Sequence, residues 1–338
     1  MAAPAPELNR LLVVGELCVD LIIETGDEIR FGQHEQIVPA TTLTMGSSSA
    51  ITACGAAALG VPTALVSVRG DDTFGAFLDA ELARRGVATD LIRVEPSLPT
   101  GASTHLTRPG GDRAILTSMG SIGTVTATDV PAEAIREAGH LHLGSYFLQH
   151  ALQPDASRVF ADARAQGLTT SLDGNFDPAE TWDGGILDVL AHTDVFFGNE
   201  QELTGITRTA ALGQAIALAT ARMPDGGIVV AKLGADGALA VQRAGGTTVT
   251  FRARTPEVTG ELVDTVGAGD TLAAGFIAAR LRGASVPDAL AFAVACGTAS
   301  TRGAGGVSAQ PDRTTATQLA ATVEVAEIAT PEVAEIGD

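Results

Sequence analysis

Apolar runs and amphipathic stretches alternate along this chain in a regular way. Residues 11–14 are a run of Leu and Val closed by Gly15, the pattern of a strand buried on both faces. Residues 19–23 continue extended, with Asp20 interrupting an otherwise apolar stretch. Residues 24–45 are polar and irregular, with Thr and Val patches suited to short strands. Met45-Gly-Ser-Ser-Ser49 then opens a small-residue helix predicted over 50–59 and stopped by Gly60. A strand over 61–68 follows, then a turn at 70–75 leading into a helix to about Arg85.

Between 100 and 117 two alternating segments, 102–107 and 114–117, flank the turn Pro109-Gly-Gly-Asp-Arg113. They predict a β-hairpin in a separate small sheet. From Ala132 onward strands are predicted near 140–143, 169–172, 194–197 and 227–231, with helical segments near 154–166, 184–191 and 199–222 between them. Such alternation implies right-handed βαβ units and a parallel sheet covered on both faces. A second hairpin, 238–242 with 247–251, precedes a helix running to about Arg282, and further helices are predicted over 287–301 and 314–321. Residues 1–9 read as a disordered leader and residues 323–338 as a frayed acidic tail.

Composition narrows the function. The 338 residues are 45% apolar, 18% charged and 4% aromatic, with 39 glycines, which suits small-residue helices packed on a sheet. A net charge of −19 leaves no basic surplus to neutralise phosphates, so nucleic acid and anionic membranes are excluded as partners. Cys18, Cys54 and Cys296 are widely spaced and form neither a disulfide framework nor a metal-ligand pattern. With no signal-peptide pattern at the start and no run of about 18 apolar residues, a soluble cytoplasmic protein is expected.

Four polar clusters fall at the carboxyl ends of predicted strands, the edge along which open α/β sheets bind ligands. They are Asp173-Gly-Asn175, Asn199-Glu-Gln-Glu202, Lys232-Leu-Gly-Ala-Asp-Gly237 and Asp264-Thr-Val-Gly-Ala-Gly-Asp270. In the last, a glycine-rich turn runs straight into an amphipathic helix. Backbone N–H groups at such a helix start can hold an anion beside Asp270, the pairing that phosphoryl transfer to a hydroxyl needs; Asp270 as a plain helix cap is the alternative. Asn199 and Glu202, three apart on a starting helix, suit Mg²⁺ held largely through water. Gly234 and Gly237 allow a base or ribose to approach the backbone. Lys232, the single lysine among 21 basic residues, suggests a compact phosphate contact. His140 and His142 alternate on a strand in a manner that fits packing. No Walker-type loop, Gly-x-Gly-x-x-Gly or Gly-x-Ser-x-Gly motif is present.

From Leu11 to about Pro311 the chain resembles the ribokinase-like (PfkB) carbohydrate kinase family, most specifically in Asp264–Asp270, Asn199-x-x-Glu202 and Lys232-Leu-Gly-x-x-Gly237. The resemblance implies a three-layer α/β/α kinase domain over residues 10–322 with a mostly parallel central sheet. It also implies a small β-sheet lid from segments about 16–45 and 98–120, through which two copies pair as a homodimer. It further implies ATP and Mg²⁺ as cofactors, K⁺ as a further candidate beside Asp264, and a small sugar or sugar acid as acceptor. Asp270 is then the general base, Gly267, Ala268 and Gly269 the anion hole, and Asp20, Gly46, Ser47 and Asp264 the acceptor side. Asn199 and Glu202 order Mg²⁺, and Asn199, Lys232, Gly234 and Gly237 face the nucleotide. An Asp270 carboxylate that stays ionised is expected at the helix start. Four positions depart from the family pattern: Ser47 replaces a second glycine, Ile51 stands at an asparagine position, Cys18 stands where ribose-specific members carry asparagine, and Lys232 stands where many relatives have a hydroxyl residue. Ribose itself is therefore disfavoured, and sugar phosphates are disfavoured by the few basic residues of the small sheet, mainly Arg30, Arg108 and Arg113. A nucleoside kinase and a non-catalytic sugar-binding or regulatory protein are the alternatives.

Overall fold

The computed structural model describes residues 9–26, 29–108 and 113–329. Its strands begin with β1 (Arg10–Val14), β2 (Cys18–Glu24), β3 (Ala40–Met45), β4 (Thr63–Arg69), β5 (Val87–Ala88) and β6 (Ile92–Val94). They continue with β7 (Gly101–Thr107), β8 (Arg113–Ser118), β9 (Ala138–Leu143), β10 (Thr169–Asp173) and β11 (Val195–Asn199). The last are β12 (Ile228–Lys232), β13 (Ala238–Ala244), β14 (Thr247–Ala253) and β15 (Val325–Ile328). The α-helices are α1 (Ser48–Ala58), α2 (Thr73–Arg84), α3 (Ala132–Arg136), α4 (Gln153–Ala165) and α5 (Ile186–Leu190), then α6 (Glu200–Thr207), α7 (Leu212–Arg222), α8 (Ala268–Leu281), α9 (Val286–Ser300) and α10 (Arg313–Ala320).

Alternation along the strands sets the layers. In β1, Leu11 and Val13 face a core shared with α1, α8 and α9, while Leu12 and Val14 face a second core shared with α4 to α7. The central sheet runs β15-β14-β13-β12-β11-β10-β9-β1-β4-β5, with β6 also on β4. All pairings from β12 through β4 to β5 and β6 are parallel, and β13, β14 and β15 are added antiparallel. The carboxyl ends of β1, β9, β10, β11 and β12 therefore meet on one edge. A separate four-stranded sheet, β3-β2-β7-β8, stands off that edge.

The regular α/β alternation and both hairpins are present as expected, although the turn 109–112 of the first lies outside the described residues. Three features differ. The helix expected over 199–222 is two, α6 and α7, because Arg208 takes a left-handed conformation (φ 56°) that ends the first. Helix α8 starts at Ala268, from Gly267 in the left-handed region (φ 71°), where a side chain would also collide with Gly306 Cα at 2.7 Å. The supposed frayed tail instead contributes β15, paired antiparallel with β14 from Ala253↔Val325 to Thr250↔Ile328; the leader 1–8 and residues 330–338 lie outside the described residues.

Helices α8 and α9 pack at a small-residue contact. A Cβ on Gly275 would come within 3.0 Å of both Cβ and Sγ of Cys296 and 3.1 Å of Ala293 Cα. Gly275→Val should therefore overpack this contact and lower stability by about 1–3 kcal/mol, despite valine's better helix propensity. Adding Cys296→Ala should restore part of the loss. Urea unfolding measures both; an unchanged midpoint in G275V would show that the helices do not require this close approach.

Candidate active site

A cavity of about 1240 Å³ opens between the carboxyl edge of the central sheet and the small sheet. At its floor are Gly267, Ala268, Gly269 and Asp270, the first turn of α8. A helix start leaves its first N–H groups without intrahelical acceptors, so those of Gly267, Gly269 and Asp270 are available to an anion. Ala268 differs from the expectation that placed it equally in the hole, because its N–H donates to Thr265 O at 3.3 Å.

Asp270 lines the same floor. Burial, with the charges of Asp173 and Glu16 behind it, pushes its carboxyl up to about 7, while Lys232 and the nearby Ser48 hydroxyl pull the other way. The helix start alone does not keep this group ionised, contrary to expectation. It titrates near neutrality, where a proton acceptor works best.

Lys232, at the end of β12, places its ammonium 2.9 Å from Asp173 Oδ2 and 3.6 Å from Glu202 Oε2. Burial works against the charge, but Asp173, Glu202 and Asp270 outweigh it and hold the group above the ordinary lysine value. The same side chain passes 3.2 Å from the point where a Gly269 Cβ would stand. The predicted phosphate-binding lysine thus lies against the anion turn, with its nearest partners two carboxylates. Glu202 is buried, which pushes its carboxyl upward against the pull of Lys232. It forms a capping box with Asn199: Asn199 N donates to Glu202 Oε2 (2.8 Å), Asn199 Nδ2 to Oε1 (2.9 Å), and Glu202 N to Asn199 Oδ1 (2.9 Å). Both residues line the cavity, as do Gly234 and Gly237. Gly237 (φ 93°) is required there because a Cβ would meet Ala253 O at 2.1 Å.

Asp20 reaches the cavity from β2, buried, with His105 Nε2 of β7 at 3.4 Å. Gly46 does not line the cavity; it leaves room for Asp20, whose Oδ1 lies 2.1 Å from where a Cβ would be. Ser47 lines it in a left-handed conformation (φ 74°), donates to Glu16 O and caps α1 through Ala50 N. Asp264 does not line the cavity either. Its oxygens accept from Val266 N (3.0 Å) and Gly305 N (2.9 Å), and Arg113 of the small sheet approaches at 3.6 Å. Asp264 thereby fixes the turn leading to α8.

The cavity residues that were not among the predicted site residues include Glu16, Ser48 and Asn175. Asn175 lay in a polar cluster already noted at a strand end, and Glu16 sits just beyond Gly15 at the same edge, so position alone could have flagged both. Ser48 carried no signal beyond a small-residue helix start. His140 and His142 are buried and hydrogen-bonded to Thr169 and Ser171, and burial lowers both to about 3, so they serve packing as neutral rings. Among the described residues no cluster of three or more metal-ligating side chains occurs, and no helix is long and apolar enough to cross a membrane.

Comparison with known proteins places this geometry. Residues 8–313 match the model of the pfkB family carbohydrate kinases. The chain is 32% identical over 306 residues to the ATP-dependent ribose-1-phosphate kinase of Halopiger xanaduensis, covering 89% of this chain and 95% of that one. It is 30% identical over 301 residues to the 2-dehydro-3-deoxygluconokinase of Bacillus subtilis, covering 83% and 87%. The solved structure of Arabidopsis thaliana ribokinase complexed with ribose and ATP superposes with a TM-score of 0.78 at 25% identity, covering 93% of this chain and 99% of that one. A match over nearly the whole kinase length, on a fold that gathers the glycine turn and its acid at one sheet edge, makes this chain a member of the pfkB family of carbohydrate kinases.

Proposed function

We propose that this protein uses ATP and Mg²⁺ to phosphorylate a hydroxyl of a small sugar or sugar acid, with Asp270 as general base. The observation that carries the reading is Asp270 itself: a carboxyl titrating near 7 in the first turn of a helix whose free N–H groups face the same cavity. Asp270 takes the acceptor proton as that oxygen bonds to the γ-phosphorus and the bond to the β-phosphate oxygen breaks. The N–H groups of Gly267 and Gly269 meet the charge spread over the transferred group, with the Lys232 ammonium adding positive field from beside Gly269. Gly234 and Gly237 leave backbone free for the nucleotide. Asn199 and Glu202, engaged with each other in the capping box, fit an Mg²⁺ ion held through water and phosphate oxygens and not by direct ligation. The ion would supply neutralisation of the triphosphate. Asp20, fixed by His105, faces the acceptor from the small sheet, which acts as a lid that keeps water from the phosphoryl group.

The test is an acceptor screen with coupled ADP detection across pentoses, hexoses, sugar acids, nucleosides and ribose 1-phosphate. With the best acceptor, Asp270→Asn should lower kcat by about 10²- to 10⁴-fold. Because the base works ionised, kcat/KM should fall with unit slope below about pH 7 and level off above it. Activity on no acceptor, or an Asn variant as fast as the wild type, would favour a sugar-binding protein without catalysis.

The small sheet also supports pairing of two copies. One face carries Asp20, Ser103, His105 and Thr117 towards the cavity. The register places Leu43, Leu21, Thr104 and Leu116 in one row on the other face, with Leu43 and Leu116 exposed. An apolar row on the outside of a four-stranded sheet suits burial against a second copy. Light scattering should give a dimer mass for the wild type and a monomer for Leu116→Glu; a monomeric wild type would sink this reading.

A further inference from the structure

Asn175 follows β10 on the cavity wall, half-buried, next to Phe176. Its side-chain amide is held at one end only. Nδ2 donates to Ser48 Oγ, at the start of α1, at 2.9 Å and to Ser145 Oγ, just beyond β9, at 3.1 Å. Both amide hydrogens are then used. Ser145 in turn gives its one proton to Glu16 Oε1 at 2.9 Å. An amide turned end for end would set Oδ1 against a serine oxygen with no proton left to offer. The hydrogen bonds therefore fix which end of Asn175 is free, and that end is Oδ1.

Neighbouring groups of this corner are closed. Glu16 is buried, and besides Ser145 it accepts from Ser49 Oγ (2.7 Å) and Gln149 Nε2 (3.1 Å). Ser47 Oγ donates to Glu16 O and accepts from Ala50 N. Cys18 and Ile51, both buried, line the cavity there without a strong hydrogen-bonding group. No hydrogen bond from the described residues reaches Asn175 Oδ1, and that oxygen is not buried. Its backbone is fixed as well. Asn175 N donates to Asp173 Oδ1 at 3.1 Å and the residue is left-handed (φ 55°), a conformation asparagine adopts more readily than most residues. An oxygen held so firmly and left unpaired on a cavity wall selects a ligand group that can donate to it.

We propose that Asn175 Oδ1 is a specificity-determining contact of the acceptor site, taking a hydrogen bond from a hydroxyl of the acceptor other than the one that is phosphorylated. This rests on the kinase reading above and narrows its substrate class. The partners of the amide, Ser48 and Ser145, stand beside Ser47 and Glu16 on the acceptor side, away from Gly234 and Gly237 at the nucleotide end. Asp20 of the small sheet also faces the cavity as an acceptor of hydrogen bonds. The part of the substrate that meets these two oxygens carries hydroxyls. A carboxylate or phosphate placed there would offer no proton and would be repelled by Asp20.

The experiment crosses enzyme variants with acceptor analogues. Wild type and Asn175→Gly are assayed with the best acceptor and with analogues that each lack one of its hydroxyls. Glycine removes the amide and keeps the left-handed backbone without strain. With the wild type, one analogue should lose about 10- to 100-fold in kcat/KM. Asn175→Gly should lose a similar factor with the full acceptor, and should treat that analogue and the full acceptor alike within about twofold, so that the two losses do not add. Its KM for MgATP should stay within about twofold of the wild-type value. Ser145→Ala releases the amide to turn and should blunt the same discrimination with Asn175 in place; it serves if the glycine variant folds poorly. A glycine variant that ranks the analogues as the wild type does would overturn the contact, as would a wild type indifferent to every missing hydroxyl. So would a loss confined to the KM for MgATP, which assigns the amide to the nucleotide. In each of these cases the chain still phosphorylates its acceptor and the kinase reading stands. If no acceptor is phosphorylated, that reading falls, and calorimetric binding of the same compounds to both proteins decides the contact separately. Unchanged relative affinities in Asn175→Gly, or no binding at all, overturn it.

Discussion

Lys232 sits half-buried between Asp173 and Glu202, and the geometry of the site depends on that balance of charge. Glu16, Asp173 and Glu202 are buried at one sheet edge beside the half-buried Asp270, and carboxylates gathered there need a counter-charge. A single ammonium, donating to both Asp173 oxygens and lying near Glu202, lets the edge keep its acids. It also sets their division of labour. Asp173 and Glu202 are occupied with Lys232, whereas Asp270 feels its pull without touching it. Asp270 is therefore left with a proton affinity suited to neutral pH.

The remaining polar groups of the edge are held in a similar way, each by a bond that also defines backbone. Asn199 and Glu202 close the start of α6 while facing the cavity. Asp264 ties the turn before α8 to Gly305 and receives Arg113 from the small sheet. Ser47 caps α1 and bonds back to Glu16 O. Site and scaffold share the same hydrogen bonds, so the side chains that line the cavity have little freedom left to lose on binding a ligand. That is the condition under which positioning contributes most to rate.

Much of the architecture was readable in advance because parallel sheets and their crossovers leave strong periodic signals. The βαβ alternation, both hairpins and the strand ends carrying Asp173, Asn199 and Lys232 all follow from apolar runs punctuated by polar and glycine residues, whereas Asp264–Asp270, expected at a strand end, enters α8 from an irregular segment after β14. Elements decided by long-range pairing were not readable. β15 is acidic and short, and only the free edge of β14 makes it a strand. The break between α6 and α7 turns on Arg208 accepting a left-handed conformation that no propensity announces.

From the chain alone came the class of chemistry: a glycine turn followed at once by an acid at a helix start is a local arrangement, and helix geometry exposes its N–H groups wherever the helix lies. The partners of that acid could come only from the folded molecule. Ser48, Asp173 and Lys232 are scattered across 185 residues of sequence, and nothing in their local patterns says that they meet. Crossovers that return each strand to the same edge bring them together, and burial there turns ordinary side-chain charges into interactions strong enough to set how tightly Asp270 holds a proton.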